Sequence, residues 1–310
     1  MTASTRTGEI LCVGELLWDA LPKGLFLGGA PLNVAFHLHA LGERVAVVSR
    51  VGDDRLGREA LRRMADRGVA TELVQVDPEL DTGFVRVSLD EGKEHPAYTI
   101  EQPVAWDALA LTGALSERAA GAAAVVFGTL AQRQETARRT VRALGDAAAL
   151  AVLDVNLRPP YAPRSVVESS LAAADVVKLN EAELAQIGGW DGTSGTLRER
   201  AEALAQRFDC RTVCVTRGAD GSALWHRGAW AERRAYPVKV KDAVGAGDAF
   251  LAALLSGLLA GHTCDDVLDA ASRLAAYVAT RSGATPEYQA GGIAGVQGLP
   301  LKPPADTDAG

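Results

Sequence analysis

The chain has 310 residues, 48% hydrophobic and 23% charged, which is ample for a large buried core and too apolar for a disordered chain. Its formal net charge of −7 argues against a nucleic-acid partner. No run approaches the ~18 apolar residues of a membrane span. The opening MTASTRTGEILCVGE lacks the apolar core of a signal peptide, so a cytoplasmic protein with no membrane partner is expected.

In chain order, EILCV (9–13) reads as a first buried strand. Residues 15–28, with Pro22, Gly24 and Gly28, read as irregular extended chain. A helix is expected over 31–41, opened by Pro31 and closed by Gly42, where a left-handed cap favours glycine. Strand 45–49 and helix 55–67 follow, the latter closed by Gly68. Residues 82–104 alternate in two runs around DEGKE and read as a hairpin. A lone hairpin is marginal, so 15–28 is its expected partner.

Strands over 123–127, 151–155, 175–179 and 211–216 then alternate with helices over 132–144, 164–173, 181–187 and 196–207. This alternation predicts a mostly parallel central sheet flanked by helices on both faces. We expect one domain over 1–300, with a small β lid built from about 15–30 and 82–104, and a loose tail over 301–310. The four cysteines fit a reducing compartment, and no metal-ligating spacing of Cys or His occurs.

The stretch GAGDAF (245–250) opens the run LAALLSGLLAG, apolar all round and so expected to be a buried helix. Gly245, Ala246 and Gly247 would present backbone N–H groups at the positive end of the helix dipole, an arrangement that binds phosphate. Asp248 is the only charged residue between Asp242 and Asp265. A first-turn acid is favoured by the dipole alone, but a carboxylate at the mouth of a buried helix must face a cleft or be desolvated. Beside a phosphate cradle it can serve as base on an attacking hydroxyl, which is the chemistry of phosphoryl transfer. A P-loop NTPase would need G-x-x-x-x-G-K-[ST], and a dinucleotide-binding dehydrogenase would need G-x-G-x-x-G after the first strand. The sequence has neither.

DAVGAGDAF resembles the C-terminal signature of the PfkB (ribokinase-like) carbohydrate kinases. GGAPLNVAFHLHALG (28–42) with VGDDRLG (51–57) resembles their N-terminal signature, and GELLWD and VAWD are most similar to the fructokinase branch. The resemblance covers about residues 8–287. It implies a ribokinase-like fold and ATP-dependent phosphorylation of a sugar primary hydroxyl, most simply fructose to fructose 6-phosphate. Asp248 would be the catalytic base, in contact with the substrate, and Gly245, Ala246 and Gly247 the anion hole. Asp19, Gly28, Gly29 and Asn33 would bind sugar hydroxyls, with Tyr98 of the lid covering them. Arg158, in DVNLRPP, would meet phosphate and substrate; a structural ion pair with Asp154 is the plain alternative.

The resemblance further places Asn180, Thr216 and Gly218 at the nucleotide, together with Gly245 and Gly247. Glu181 would face hydrated Mg²⁺ through water, with Glu183 as the other candidate, and helix capping is the plain alternative for Asn180. Oxygens of Asp242 and Val244 match a monovalent-cation site, such as one for K⁺, in some relatives. The expected partners are the sugar and ATP, with a second copy of the chain meeting the exposed lid edge. A 2-keto-3-deoxygluconate kinase or another PfkB sugar kinase is the alternative enzyme, and a catalytically silent sugar or nucleotide sensor the alternative class.

Overall fold

A computed structural model of the protein describes residues 8–21, 24–88 and 97–299. Strand β1 (Glu9–Val13) lies third from one edge of a nine-stranded sheet. Beside it on one side run β4 (Val45–Gly52) and β5 (Val74–Asp77). On the other side run β8 (Ala122–Gly128), β9 (Ala151–Asp154), β10 (Val176–Asn180) and β11 (Thr212–Thr216). All of these pair in parallel. Strands β12 (Ser222–His226) and β13 (Ala229–Arg233) extend the far edge antiparallel.

Alternation along the strands splits the core into two layers. Ile10 and Cys12 face one side, with helices α1 (Ala30–Ala40), α2 (Arg55–Asp66), α8 (Ala246–Leu259) and α9 (Cys264–Ala279). Leu11 and Val13 face the other. That layer holds α3 (Gly113–Ala120), α4 (Glu135–Ala147), α5 (Arg164–Ala172), α6 (Glu181–Gly189) and α7 (Leu197–Phe208). Strands buried on both faces are what parallel sheets require.

A second, smaller sheet has the order β3-β2-β6-β7, from β2 (Leu17–Leu21), β3 (Gly24–Gly28), β6 (Gly83–Ser88) and β7 (Ala97–Ile100). The expected hairpin is there, as β6 paired with β7. Its expected partner is more regular than the sequence suggested: Leu17–Leu21 and Gly24–Gly28 form two paired strands, and β2 joins β6 in parallel. The DEGKE tip and the tail 301–310 lie outside the described residues. The signature VGDDRLG ties this sheet to the body. Asp54 caps α2 by accepting from Gly57 N at 2.7 Å, and its other oxygen accepts from Thr82 N at 2.7 Å.

Among the described residues, no helix is long and apolar enough to cross a membrane.

Candidate active site

The helix α8 is buried along Ala249–Gly257, and its N-terminus opens at the carboxyl end of the sheet. Gly245 is its N-cap with φ 78°, and a Cβ there would lie 2.3 Å from Ala284 O, so only glycine fits. Ala246 N–H turns back to Ala243 O at 3.3 Å, while Gly247 is exposed. Asp248 follows, half-buried. Asn33, from the first turn of α1, donates through Nδ2 to Asp248 Oδ2 at 2.8 Å. The two signature segments therefore meet. Asn33 is buried, and its Oδ1 has no partner among the described residues, an acceptor open to a ligand.

Burial raises the Asp248 carboxyl to about 7, with the Asp154 and Glu15 charges adding and Lys178 and Asn33 opposing. A carboxylate poised near neutrality suits a general base.

Beside this pair lies the base of the small sheet. Asp19 is half-buried in β2, and a Cβ on Gly28 would come within 2.9 Å of its Oδ2. Gly29, at φ 115°, packs so closely that a Cβ would sit 2.2 Å from Glu15 O. Burial raises the Asp19 carboxyl, with the charge of Arg158 opposing. Arg158 is exposed and donates to Leu157 O at 3.1 Å. It makes no ion pair with Asp154, which is taken by Lys178. The strand also stops at Asp154, and Asn156 has φ 38°, so the alternating Asp154, Asn156 and Arg158 do not share one strand face.

Three groups here were not singled out from the sequence, although Glu15 lies in GELLWD and His37 in the segment 28–42. Glu15 is buried; its Oε1 accepts from Ala30 N at 3.2 Å, its Oε2 is unpartnered, and burial raises its carboxyl to about 7. Lys178 of β10 is buried and grips both oxygens of Asp154, at 2.8 and 3.1 Å. His37, one turn beyond Asn33, is buried between Tyr288 OH, 2.7 Å from Nδ1, and Ala284 O, 3.0 Å from Nε2. Burial lowers His37 to about 4, so the ring is neutral near pH 7. Because a carbonyl only accepts, Nε2 carries the proton and Nδ1 accepts from Tyr288.

The opposite wall forms a cleft of about 550 Å³, lined in part by Thr216, Gly218, Val240, Ala246, Gly247 and Ala279. Of the expected nucleotide and anion-hole residues, Thr216, Gly218, Ala246 and Gly247 thus line one cavity, while Asn180 and Gly245 are not among its lining residues. Asn180 sits at the α6 N-cap and accepts from Glu183 N at 2.8 Å, so capping is its role in the fold. Glu183 is buried and accepts from Asn180 N at 2.8 Å and Leu157 N at 2.7 Å. Glu181 pairs with Arg200 at 3.2 Å. Both carboxylates retain lone pairs that fit waters of a hydrated Mg²⁺. Among the described residues no cluster of three or more His, Cys, Asp or Glu forms a cage, and Mg²⁺ on nucleotide phosphates needs none. Asp242 accepts from Val244 N at 3.1 Å and Gly283 N at 3.0 Å, bracing the loop before the anion hole. Tyr98 lies in β7 opposite Val87, and its side chain is outside the described residues.

Residues 24–290 match the model of the pfkB family of carbohydrate kinases. The chain is 34% identical to a fructokinase of Klebsiella pneumoniae over 283 residues, covering 86% of this chain and 90% of that protein. It is 31% identical to a 2-dehydro-3-deoxygalactonokinase of Haloferax volcanii, covering 82% of each. It is also similar, with a TM-score of 0.74 and 25% identity, to a crystal structure of fructokinase from Vibrio cholerae O395 with fructose, ADP and calcium bound, covering 90% of this chain and 95% of that one.

Proposed function

The chain belongs to the pfkB family of carbohydrate kinases, and from that premise we propose that it transfers the γ-phosphoryl group of ATP to the primary hydroxyl of fructose. The observation that carries the mechanism is the position of the Asp248 carboxylate, hydrogen-bonded to Asn33 and next to the exposed Gly247 backbone. The Asn33 bond engages Oδ2 and leaves Oδ1 to take the sugar hydroxyl proton. As that proton leaves, the oxygen attacks the γ-phosphorus, the bond to the β-phosphate oxygen breaks, and ADP departs. Backbone N–H groups at the mouth of α8 would meet the charge on the phosphoryl oxygens. Mg²⁺, when bound with the nucleotide, supplies neutralisation of the β- and γ-phosphate charge; Glu181 or Glu183 would hold its waters.

Asp19, the unpartnered Asn33 Oδ1, Gly28 and Gly29 form the sugar end, with Arg158 close enough for its charge to act on Asp19. Fructose is supported by the fructokinase relative and by the fructose in the Vibrio cholerae structure. A 2-keto-3-deoxy sugar acid is the second reading, supported by the Haloferax volcanii relative. The braced loop at Asp242 and Val244 supports a K⁺ site, checked by activity in K⁺ against a large organic cation. The unpaired outer side of β3, with exposed Leu25 and Phe26, supports a homodimer through the lid, checked by sedimentation of Phe26→Asp. Cytoplasmic location accords with substrates that are cytoplasmic metabolites.

The decisive test is ADP release from ATP and Mg²⁺ across a sugar panel. Fructose should stimulate it most. Strong activity on 2-keto-3-deoxygluconate or its galactonate epimer, with none on fructose, would change the substrate and keep the kinase.

A further inference from the structure

The strand β10 reads VVKLN, and its lysine stands among buried apolar residues, Val176, Val177 and Leu179. In the register, Lys178 lies beside Asp154 of β9 and Cys214 of β11. Asp154 and Lys178 are both buried, at 4% and 8% exposure, and pair at 2.8 and 3.1 Å. Such a pair is costly to bury and is often replaceable by apolar residues without loss of stability. Its position is more informative. A Cβ built on Gly247 would lie 3.1 Å from Lys178 Nζ, its only neighbour within 4 Å. The ammonium therefore packs against the backbone of the phosphate-binding loop, one residue before Asp248. Asp154 takes two of its three protons. Burial works against the charge on Lys178, but Asp154, Asp248 and Glu183 outweigh it, so the group stays protonated.

We infer that Lys178, held by Asp154, is a positioning residue for phosphoryl transfer: it fixes a positive charge behind Gly247 that favours the ionised form of the neighbouring Asp248. The inference rests on the reading of Asp248 as the base. Charge develops on the phosphoryl oxygens at this loop, and a fixed cation there needs no reorganisation during the reaction. The charged or titratable groups acting on Asp248 are Asp154 from β9, Glu15 from the loop after β1 and Lys178 from β10, together with the Asn33 amide from α1. Lys178 is the one cation of the set. Gly247 also gains a second reason to be glycine, because any side chain would push the ammonium away.

The experiment compares Lys178→Met, Lys178→Arg and Asp248→Asn in the full chain with fructose, ATP and Mg²⁺. We expect Lys178→Met to lower kcat by tenfold or more, to leave the fructose KM within threefold, and to move the acid limb of the kcat profile to higher pH. Lys178→Arg, which keeps the charge, should recover part of kcat and return the limb toward its original position. Should Lys178→Met fold poorly, the double variant Lys178→Met/Asp154→Asn removes both charges of the buried pair, and its kcat should still be down tenfold or more. A folded double variant within twofold of the parent kcat, or a folded Lys178→Met with an unmoved acid limb, overturns the inference. An active Asp248→Asn instead overturns the base assignment on which it stands.

Discussion

Asn33 Nδ2 stands 2.8 Å from Asp248 Oδ2, joining residues 215 positions apart. One amide orients the carboxylate and offers its other atom, the unpartnered Oδ1, to whatever lies between the helices. On the proposed function, sugar binding and base orientation would be coupled through a single side chain.

For Asp248→Asn, we expect a kcat loss of roughly 10²–10⁴-fold, the usual contribution of a positioned base. In the parent enzyme, kcat should fall as pH drops through about 7, where burial has raised the carboxyl. Near-normal turnover of the variant in a coupled ADP assay would remove Asp248 from the base role.

The same raised carboxyl makes a stability prediction. Folding holds the Asp248 proton more tightly than the unfolded chain does, since the folded value lies near 7 and the ordinary value at 3.8. Its favourable contribution is complete below 3.8 and is lost as pH rises through about 7. Asp248→Asn carries no such penalty. Its Tm should exceed the parent's at pH 8 and match it near pH 4. A variant less stable at pH 8 would show that ionised Asp248 is not a burden on the fold.

Gly245 and Gly247 should respond differently to substitution. At Gly245 the positive φ and the 2.3 Å approach to Ala284 O make Gly245→Ala a folding lesion, seen as a lowered Tm. Gly247 has ordinary backbone geometry, so Gly247→Val should fold and should weaken an ATP analogue far more than the sugar. Equal losses for both ligands in calorimetry would assign the Gly247 effect to folding.

Most of the parallel body was legible because its buried strands are short β-branched runs with periodic helices between them; edge strand β5, whose Val76 is exposed, and helix α3 were not read. Antiparallel β12 and β13 were not read as strands, since HRG-like turn chemistry at 226–228 is easily taken for a loop. The site was legible where function needs an odd residue in a local pattern, as with Asp248 at an apolar helix mouth. It was illegible where a residue acts through tertiary contact. His37 looks like one more position of a largely apolar helix, and its bond to the Ala284 carbonyl exists only after folding. Lys178 was visible as a lone charge in an apolar strand, but its partner lay 24 positions away.

His37 braces the segment beside the proposed anion hole, because Ala284 O bonds its ring and lies 2.3 Å from where a Cβ on Gly245 would be. His37→Leu keeps the bulk and loses both hydrogen bonds; we expect kcat to fall about tenfold, one hydrogen-bonded contact of ~1.4 kcal/mol. His37→Gln can still donate to Ala284 and should retain more of it. If both variants lower Tm and kcat alike, the ring serves the fold and not the loop.

The last prediction concerns the small sheet. A sugar kinase must keep water from the γ-phosphate, and a flap that closes over bound sugar does so. Here β2 carries Asp19 into the site, and β6 and β7 are fastened to that strand, so movement of the sheet and contact with the sugar cannot be independent. Buried polar groups left without partners are costly, and Asn33 Oδ1 is such a group until a hydroxyl reaches it. Asn33→Ala should therefore raise the fructose KM tenfold or more, about 1.4 kcal/mol or above. It should also lower kcat, because Asp248 loses its orienting bond. Fructose at saturation should slow amide exchange in β6 and β7 of the parent, and less so in Asn33→Ala. Unchanged exchange in those strands with fructose bound would show that the sheet is a fixed wall, and water exclusion would then have to come from the body of the protein alone.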